Sequence, residues 1–330
     1  MKRRYTVKKI LFCVFSSALL FVFSFQPAIA KEKELKAVSF LPTHMIHVKM
    51  AKEWIKRVNN ACKGELKINL AGGPEVIPGL EQIEALRKGV VQVTFNVTAY
   101  YQSRMPEGNA FTLSKLDPWE ERSPGGFYDY FVEAHKKKVN AMYLGQWLHG
   151  AFYLWLKDPV KTPGDLKGRK LRTTALYDRF MKAMGAVPVT INVPEVYTAL
   201  KRGTVEGAGW PILGARHLGW TEVVKYIIDH PFFGMNSTIL MNLDVWNGLS
   251  PSLQSKIKEV TAWFEPYMAG YFASTVQAEW KELKKAGLKP IHFSPSDAKK
   301  YLDTAYGVEW KALEKKVPGQ VTTLRKITGN

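Results

Sequence analysis

Arg172 is the residue whose type and position most clearly indicate a binding function. It lies in the segment Lys170–Thr174, KLRTT, which alternates like a strand and directs Arg172 to the opposite face from Leu171. Open α/β sheets bind ligands at the carboxyl ends of their strands. A guanidinium at such an end presents a planar fork that matches a carboxylate. The pattern predicts an anion-binding site, and a surface arginine on an edge strand is the alternative.

Several aromatic residues could form the walls of the same site. Trp210 follows Gly207-Ala208-Gly209, where small side chains let a ligand approach the backbone. For each aromatic residue, a place in the hydrophobic core is the alternative. The other candidates are Tyr100, Tyr101, Trp147, Phe232 and Phe233.

Two polar side chains are further candidates for ligand contact. Glu75 lies in the loop AGGPEVIPG, where glycine and proline restrict the backbone, and a plain loop carboxylate is the alternative. His44 ends the segment 41–44 that leaves the first predicted strand, so it should face the crevice. His44 and His47 stand three apart on a predicted helix, but no acidic or cysteine partner lies near them, so no metal site is predicted.

Sequence motifs for catalysis and cofactor binding are missing. There is no Gly-x-Gly-x-x-Gly, no Walker A loop, no Gly-x-Ser-x-Gly and no His-Glu-x-x-His. Cys62 sits at a predicted helix end with no histidine nearby and is interpreted as an inert thiol. We therefore predict no catalytic residue, no cofactor and no bound metal.

The N-terminal segment 1–30 has the pattern of a signal peptide. MKRRYTVKK is basic, ILFCVFSSALLFVFSF is apolar, and Ala28-Ile29-Ala30 is a small-x-small cleavage motif. We predict export to the periplasm with cleavage after Ala30, and an uncleaved membrane anchor is the alternative. Only Cys62 would then remain, so no intramolecular disulfide is expected.

The whole chain of 330 residues is strongly basic, with a formal net charge of +18. Such a charge raises the question of nucleic-acid binding. The export signal and the scatter of lysine and arginine along predicted helices argue against it, so no nucleic-acid partner is predicted. A basic surface can still steer anions toward a cleft.

The order of predicted elements indicates an α/β fold with two lobes. Residues 34–97 read as β-α-β-α-β, which predicts a parallel sheet. Residues 168–211 repeat strand and helix, and a long helix is predicted from about Pro251 to Ala286. A helix over 213–224 and a turn over Asp229–Gly234 are also predicted.

The chain crosses between the predicted lobes more than once. We predict the first lobe from residues 31–150 plus about 235–265, and the second from about 151–234 plus about 266–330. Lobes joined by several segments can close by hinge bending on a ligand between them.

Three segments resemble one known family. GGPEVIPGLEQIEALRKGVVQVTFNVTAYY, DLKGRKLR and PEVYTALKRGTVEGA resemble the extracytoplasmic solute-binding proteins of TRAP (tripartite ATP-independent periplasmic) transporters. The resemblance implies a two-lobe periplasmic-binding-protein-like fold with a long helix bracing both lobes. It also implies a bound organic acid whose carboxylate contacts Arg172, and TRAP membrane permease subunits as partners.

Departures from the family pattern narrow the expected ligand. Many sialate- and dicarboxylate-type members carry Gln-Glu-Asn where this chain has Ala208-Gly209-Trp210, and Trp210 is closer to the keto-acid branch. The glutamate of metal-assisted members and a second arginine are both absent. One cation among aromatic residues predicts an aromatic, branched or α-keto/hydroxy monocarboxylate.

Three alternatives stay open at this point. An exported enzyme could act on a small organic acid in the same cleft, although no nucleophile–base pair supports it. A ligand-binding partner of a receptor kinase would have the same sequence features. The long helix could form the seam of a homodimer or serve only as a brace.

Overall fold

Two mixed β-sheets with flanking helices form the part of the chain that the structure describes. The computed structural model describes residues 32–235 and 237–330, so the predicted signal peptide and its cleavage site lie outside the described residues. The strands are β1 Lys33–Ser39, β2 Leu66–Gly72, β3 Val93–Val97, β4 Ala141–Gly145, β5 Ala151–Leu156, β6 Lys170–Thr173, β7 Val187–Thr190, β8 Gly207–Pro211, β9 Tyr226–Gly234, β10 Ser237–Asn242 and β11 Lys289–Ile291.

The helices connect and cover these strands. They are α1 Val48–Ala61, α2 Gln82–Arg87, α3 Phe127–Val139, α4 Asp178–Ala183, α5 Val193–Arg202, α6 Leu243–Asn247, α7 Pro251–Lys285, α8 Pro295–Lys316 and α9 Val321–Ile327. Among the described residues, none of these helices combines the length and the apolar character that a membrane span requires.

The first sheet has the strand order β2-β1-β3-β10-β4. β1 pairs in parallel with β2 and β3, as the β-α-β-α-β pattern predicts. β10 is inserted antiparallel between β3 and β4. Every residue of β3 and β10 is buried, because both strands lie inside the sheet with covered faces.

The second sheet has the strand order β11-β9-β5-β8-β6-β7. β6 pairs in parallel with β7 and β8, and β5 runs antiparallel to both β8 and β9. β5 follows β4 of the first sheet, and β10 returns to the first sheet after β9. The chain therefore passes repeatedly between the sheets; the exact lobe boundaries stay a prediction.

The long helix α7 contacts elements of both sheets, which confirms the predicted brace. Ser250 caps its start by accepting a hydrogen bond from the Leu253 N–H at 3.2 Å. Its 35 residues extend about 50 Å at 1.5 Å per residue. On the first-sheet side, the Trp54 indole of α1 donates to Thr261 Oγ1 at 3.0 Å. On the second-sheet side, Trp280 packs edge-on against Tyr153 of β5.

The predicted helix over 213–224 is wrong. This segment consists of turns and one short 3₁₀ helix, Trp220–Glu222. Gly214 and Gly219 adopt φ angles of +94° and +75°, in the left-handed region that interrupts a right-handed helix. The segment still buries Leu213, Trp220 and Val224 without regular helical hydrogen bonding.

The predicted turn over Asp229–Gly234 is also wrong, since β9 continues through it. β5 pairs with β9 with register shifts, so the strand bulges between Ile228 and Phe232. Pro231 is tolerated because β11 pairs only with the first part of β9, Tyr226–Ile228. Proline in a strand requires such a position, where its missing N–H leaves no ladder hydrogen bond unmade.

A buried ion pair ties α7 to the point where the chain leaves the first sheet. Arg122 bonds Glu265 of α7 and donates to the Leu144 carbonyl at 2.7 Å. Glu265 also accepts from the Gln146 N–H at 2.8 Å. Burial raises the pKa of Glu265, and the charge of Arg122 opposes that rise. The pair thus fixes the crossing segment after β4.

We expect Arg122→Met to lower the free energy of unfolding by about 3 kcal/mol or more, because it leaves a buried carboxylate without its partner. Chemical denaturation measures this change. Lys136→Met is the matched control, since it breaks the exposed Lys136–Glu133 pair and should cost less than about 1 kcal/mol. Equal effects of the two substitutions would contradict the structural role of the Arg122–Glu265 pair.

Candidate functional site

A cavity of about 120 Å³ lies between the two sheets. Because an apolar cavity of roughly 150 Å³ can hold one benzene molecule, this volume suits a small organic molecule. The first sheet and its loops contribute Phe40, Leu41, His47, Val97, Ala99 and Tyr100. The second sheet and its loops contribute, among others, Phe152, Arg172, Thr174, Leu176, Tyr177 and Trp210.

Arg172 lies on the cavity wall and is held by three hydrogen bonds from two of its nitrogens. β6 places it beside Val189 of β7 and Ala208 of β8. Its Nε donates to the Ile191 carbonyl at 3.0 Å, and its Nη1 donates to the Gly209 carbonyl at 3.1 Å and to the Tyr177 hydroxyl at 2.9 Å. These bonds orient the guanidinium before any ligand binds.

The charge of Arg172 has no acidic partner among the described residues. Only 2% of the residue is exposed to solvent. The largely buried Arg122, in contrast, pairs with the carboxylate of Glu265. Arg172 bonds only neutral oxygens, and its Nη2 forms no hydrogen bond within the described residues. A free donor and an unneutralised charge therefore face the cavity.

Tyr177 supports Arg172, and the sequence analysis did not identify it. Its hydroxyl accepts from Arg172 and donates to the Gly209 carbonyl at 2.7 Å. A Cβ on Gly209 would lie 2.5 Å from the Tyr177 ring, so glycine is required there. The only sequence signal for Tyr177 is its position five residues after Arg172, in the loop that follows β6.

Trp210 lines the cavity. Its ring lies 5.7 Å from the Arg172 guanidinium carbon. The indole N–H donates to the Leu213 carbonyl at 3.0 Å, and the ring packs against Trp220. Because its polar atom is satisfied inside the protein, Trp210 offers the cavity an apolar surface.

Tyr100 lines the cavity from the first sheet. It ends the short 3₁₀ helix Thr98–Tyr100 that directly follows β3. Burial raises the pKa of Tyr100, and the nearby charge of Arg172 opposes the rise. A Cβ on Gly79 would lie 2.8 Å from the Tyr100 ring. The glycine-rich loop around residue 75 thus shapes the cavity through Gly79.

Tyr101 and Trp147 are core residues in the structure and do not line the cavity. The Tyr101 hydroxyl lies 2.9 Å from His135 Nε2 and 3.1 Å from Thr238 Oγ1. The Trp147 indole donates to the Asn96 carbonyl at 3.2 Å. The polar atoms of both side chains therefore form hydrogen bonds within the protein core.

Phe232 and Phe233 are also fully buried and lie outside the cavity lining. Phe232 packs against Phe180 and Tyr177, so it supports the layer behind the cavity wall. Phe233 packs against Tyr306 of α8.

Glu75 and His44 are exposed and do not line the cavity. Glu75 turns back on its own loop and accepts a hydrogen bond from the Gly73 N–H at 2.7 Å. That bond lowers the pKa of Glu75.

His47 is a cavity residue that the sequence analysis set aside. It precedes α1 in a turn instead of sharing a helix face with His44. Only 2% of it is exposed, and its ring stacks against Phe272 of α7 at 6.3 Å. Neither ring nitrogen has a hydrogen-bond partner among the described residues. Burial, aided by the charge of His217, lowers the pKa of His47 to about 4.

The described residues contain no group of three or more histidine, cysteine or acidic side chains placed to hold a metal ion. Cys62 is buried, and burial raises the pKa of its thiol. The polar chemistry of the cavity therefore comes from Arg172, His47, Thr174 and the tyrosine hydroxyls.

Known proteins resemble the chain in sequence and in fold. Residues 38–315 match the family DctP, bacterial extracellular solute-binding protein family 7. A Nostoc sp. protein named as a monocarboxylate 2-oxoacid-binding periplasmic protein is 27% identical over 221 residues, 62% of this chain and 59% of that protein. A Bacillus subtilis protein named as a C4-dicarboxylate-binding protein is 26% identical over 242 residues, 66% of this chain and 65% of that protein. The matched stretch is under two thirds of both relatives' lengths.

A solved structure shares the fold over most of the described chain. The TRAP periplasmic solute binding protein from Desulfovibrio salexigens, with bound orotic acid, superposes with a TM-score of 0.80 at 18% identity. The match covers 90% of this chain and 98% of that chain. It confirms the predicted α/β fold with two lobes.

The pKa of His47 leads to a pH-dependent stability. Between pH 6.5 and about 4, the unfolded chain binds a proton at this site that the folded chain does not, so acidification lowers the free energy of unfolding. We expect His47→Phe to remove this pH dependence of the free energy of unfolding. Over that window, the wild type should lose up to about 3 kcal/mol relative to the variant, measured by denaturant titration at each pH. A stability difference that stays constant with pH would contradict a buried neutral His47.

Proposed function

Because the chain belongs to the bacterial extracellular solute-binding protein family 7, DctP, we propose that it captures a small organic acid in the cavity between its two sheets. It then delivers this ligand to the membrane permease subunits of a TRAP transporter. The ligand carboxylate binds to Arg172, and no covalent chemistry takes place.

The observation that carries this proposal is the unneutralised charge of Arg172. Buried charges in proteins are normally paired, because taking a charge out of water is costly. The protein bonds two of the three guanidinium nitrogens to neutral oxygens and leaves Nη2 without a partner among the described residues. An anionic ligand supplies the missing charge and accepts the remaining hydrogen bonds.

The cavity chemistry favours a monocarboxylate with an apolar body. Arg172 is the one charged side chain that lines the cavity in the described part of the chain, and most of its other neighbours there are aliphatic or aromatic. A second buried carboxylate would stay unpaired, at a cost of several kcal/mol. The relatives named for monocarboxylates and for C4-dicarboxylates match at nearly equal identity, so this part of the proposal rests on the lining residues.

Ligand capture couples to closure because the two sheets supply different contacts. Arg172 belongs to the second sheet, and Tyr100 follows β3 of the first sheet. Tyr100 and Arg172 line the same cavity, so one ligand can contact both residues. A ligand that bridges them stabilises the closed arrangement of a hinged protein.

Catalysis has no support in the cavity lining. The described residues that line it include no serine, cysteine, aspartate or glutamate. The Thr174 hydroxyl accepts a hydrogen bond from the Leu176 N–H at 3.3 Å instead of facing a base. An activated nucleophile requires a base within hydrogen-bond reach, so we propose binding without turnover.

Delivery to a permease requires export. We propose that segment 1–30 directs export and is then cleaved off after Ala30. The protein isolated from the periplasm should begin at Lys31. Intact-protein mass spectrometry checks this expectation, and a periplasmic form that retains residues 1–30 would contradict it.

The role of Arg172 is tested by Arg172→Gln. We expect wild-type protein to bind benzoate or 4-methyl-2-oxopentanoate more tightly than succinate, and the variant to lose about 100-fold in affinity, because two charge-assisted hydrogen bonds are removed. Isothermal titration calorimetry measures both quantities.

Two further variants complete the Arg172 experiment. Arg169→Gln is the matched control, because Arg169 bonds only the carbonyls of Asp165, Asp158 and Pro159 outside the cavity and should leave affinity unchanged. Arg172→Lys keeps the charge but cannot keep the bonds to Ile191, Tyr177 and Gly209 that orient the side chain, so it should also bind weakly. This variant tests the role of Arg172 if Arg172→Gln does not fold. Full affinity in Arg172→Gln, or tighter binding of succinate than of either monoacid, would contradict the proposal.

A further inference from the structure

We propose that His47 hydrogen-bonds a second, uncharged polar group of the ligand, so that the ligand is a carboxylic acid with a hydroxyl group remote from its carboxylate. This inference rests on the proposed function, in which the cavity binds an acid through Arg172. It makes His47 a specificity-determining residue and narrows the expected ligands from organic acids to hydroxy acids.

The first observation is that the His47 imidazole is buried without partners. Only 2% of the residue is exposed, and both ring nitrogens lack a hydrogen bond to any described residue. Buried polar groups in native proteins nearly always have partners. The described chain offers a contrast in His135, which is equally buried but lies 2.6 Å from the Phe131 carbonyl and 2.9 Å from the Tyr101 hydroxyl.

The second observation is that His47 lines the cavity and lies close to Trp210. Phe272 of α7 stacks against the His47 ring and offers no acceptor. A Cβ on Gly214 would lie 3.3 Å from His47 Cε1 and 3.4 Å from Trp210 Nε1, so the two rings meet on either side of this glycine. The indole N–H of Trp210 already donates to the Leu213 carbonyl. Because His47 lines the cavity, its unmet hydrogen-bonding capacity lies next to any molecule bound there.

The charge state of His47 selects an uncharged partner. Burial and the charge of His217 both lower the pKa of His47, so its ring is neutral at pH 7 and has one donor nitrogen and one acceptor nitrogen. A neutral ring does not neutralise a second carboxylate. A hydroxyl group suits it, because a hydroxyl can accept from one tautomer and donate to the other.

Arg172 and His47 contact different parts of a ligand. Arg172 lies beside Tyr177 and Gly209, whereas His47 lies beside Phe272 and Gly214. Arg172 comes from β6 of the second sheet, and His47 from the loop before α1 on the first-sheet side. A ligand that satisfies both has its carboxylate at one end and its hydroxyl at the other.

The test compares benzoate with 3-hydroxybenzoate and 4-hydroxybenzoate by calorimetry on the full-length mature protein. We expect at least one hydroxybenzoate to bind the wild type about tenfold or more tightly than benzoate. His47→Phe should abolish this preference, so that neither hydroxybenzoate binds the variant more tightly than benzoate does. His47→Gln keeps a donor and an acceptor, so it should retain part of the preference. This variant also tests the inference if His47→Phe does not fold.

The outcomes separate this inference from the proposed function. If the wild type binds benzoate and prefers neither hydroxybenzoate, or if His47→Phe keeps the preference, the role of His47 is overturned while that of Arg172 stands. If no acid binds the wild type, or if Arg172→Gln binds benzoate as tightly as the wild type, the proposed function fails first.

Discussion

A buried guanidinium without an acidic partner is the constraint on which the rest of the site depends. Arg172 is almost fully removed from solvent, yet only backbone carbonyls and one hydroxyl bond it. Those contacts hold the side chain in place without neutralising it. Gly209 is required so that Tyr177 can complete this support. The protein thus keeps a positive charge buried at the edge of a cavity, which is energetically costly. The proposed anionic ligand would neutralise that charge.

The architecture keeps the two sides of the cavity separate and yet connected. Tyr100 and His47 come from the first-sheet side, and Arg172 and Trp210 come from the second sheet. Helix α7 contacts both sides, and its Glu265 holds the crossing segment after β4 through the pair with Arg122 and the bond to Gln146. The charge of Arg122 is neutralised by Glu265, whereas the charge of Arg172 has no acidic partner among the described residues.

Local patterns predicted most of the strands and the position of Arg172, because both depend on short-range sequence. Alternation predicted β6, and the rule for carboxyl ends of strands then predicted where Arg172 lies. Core and cavity aromatics could not be separated in the same way. Trp147 and Trp210 are both buried, and only tertiary packing puts Trp210 on the cavity wall. His47 was missed because what distinguishes it, the lack of a partner, is a property of the folded environment.

The most direct measurement of the central claim is a crystal structure of the protein with bound benzoate. The account predicts that the carboxylate lies in the cavity between the two sheets, with one oxygen about 3 Å from Arg172 Nη2 and the ring against Trp210. It also predicts that Arg172 keeps its bonds to Ile191 and Gly209 when the ligand is present. A benzoate bound elsewhere, or bound in the cavity with its carboxylate directed away from Arg172, would contradict the account.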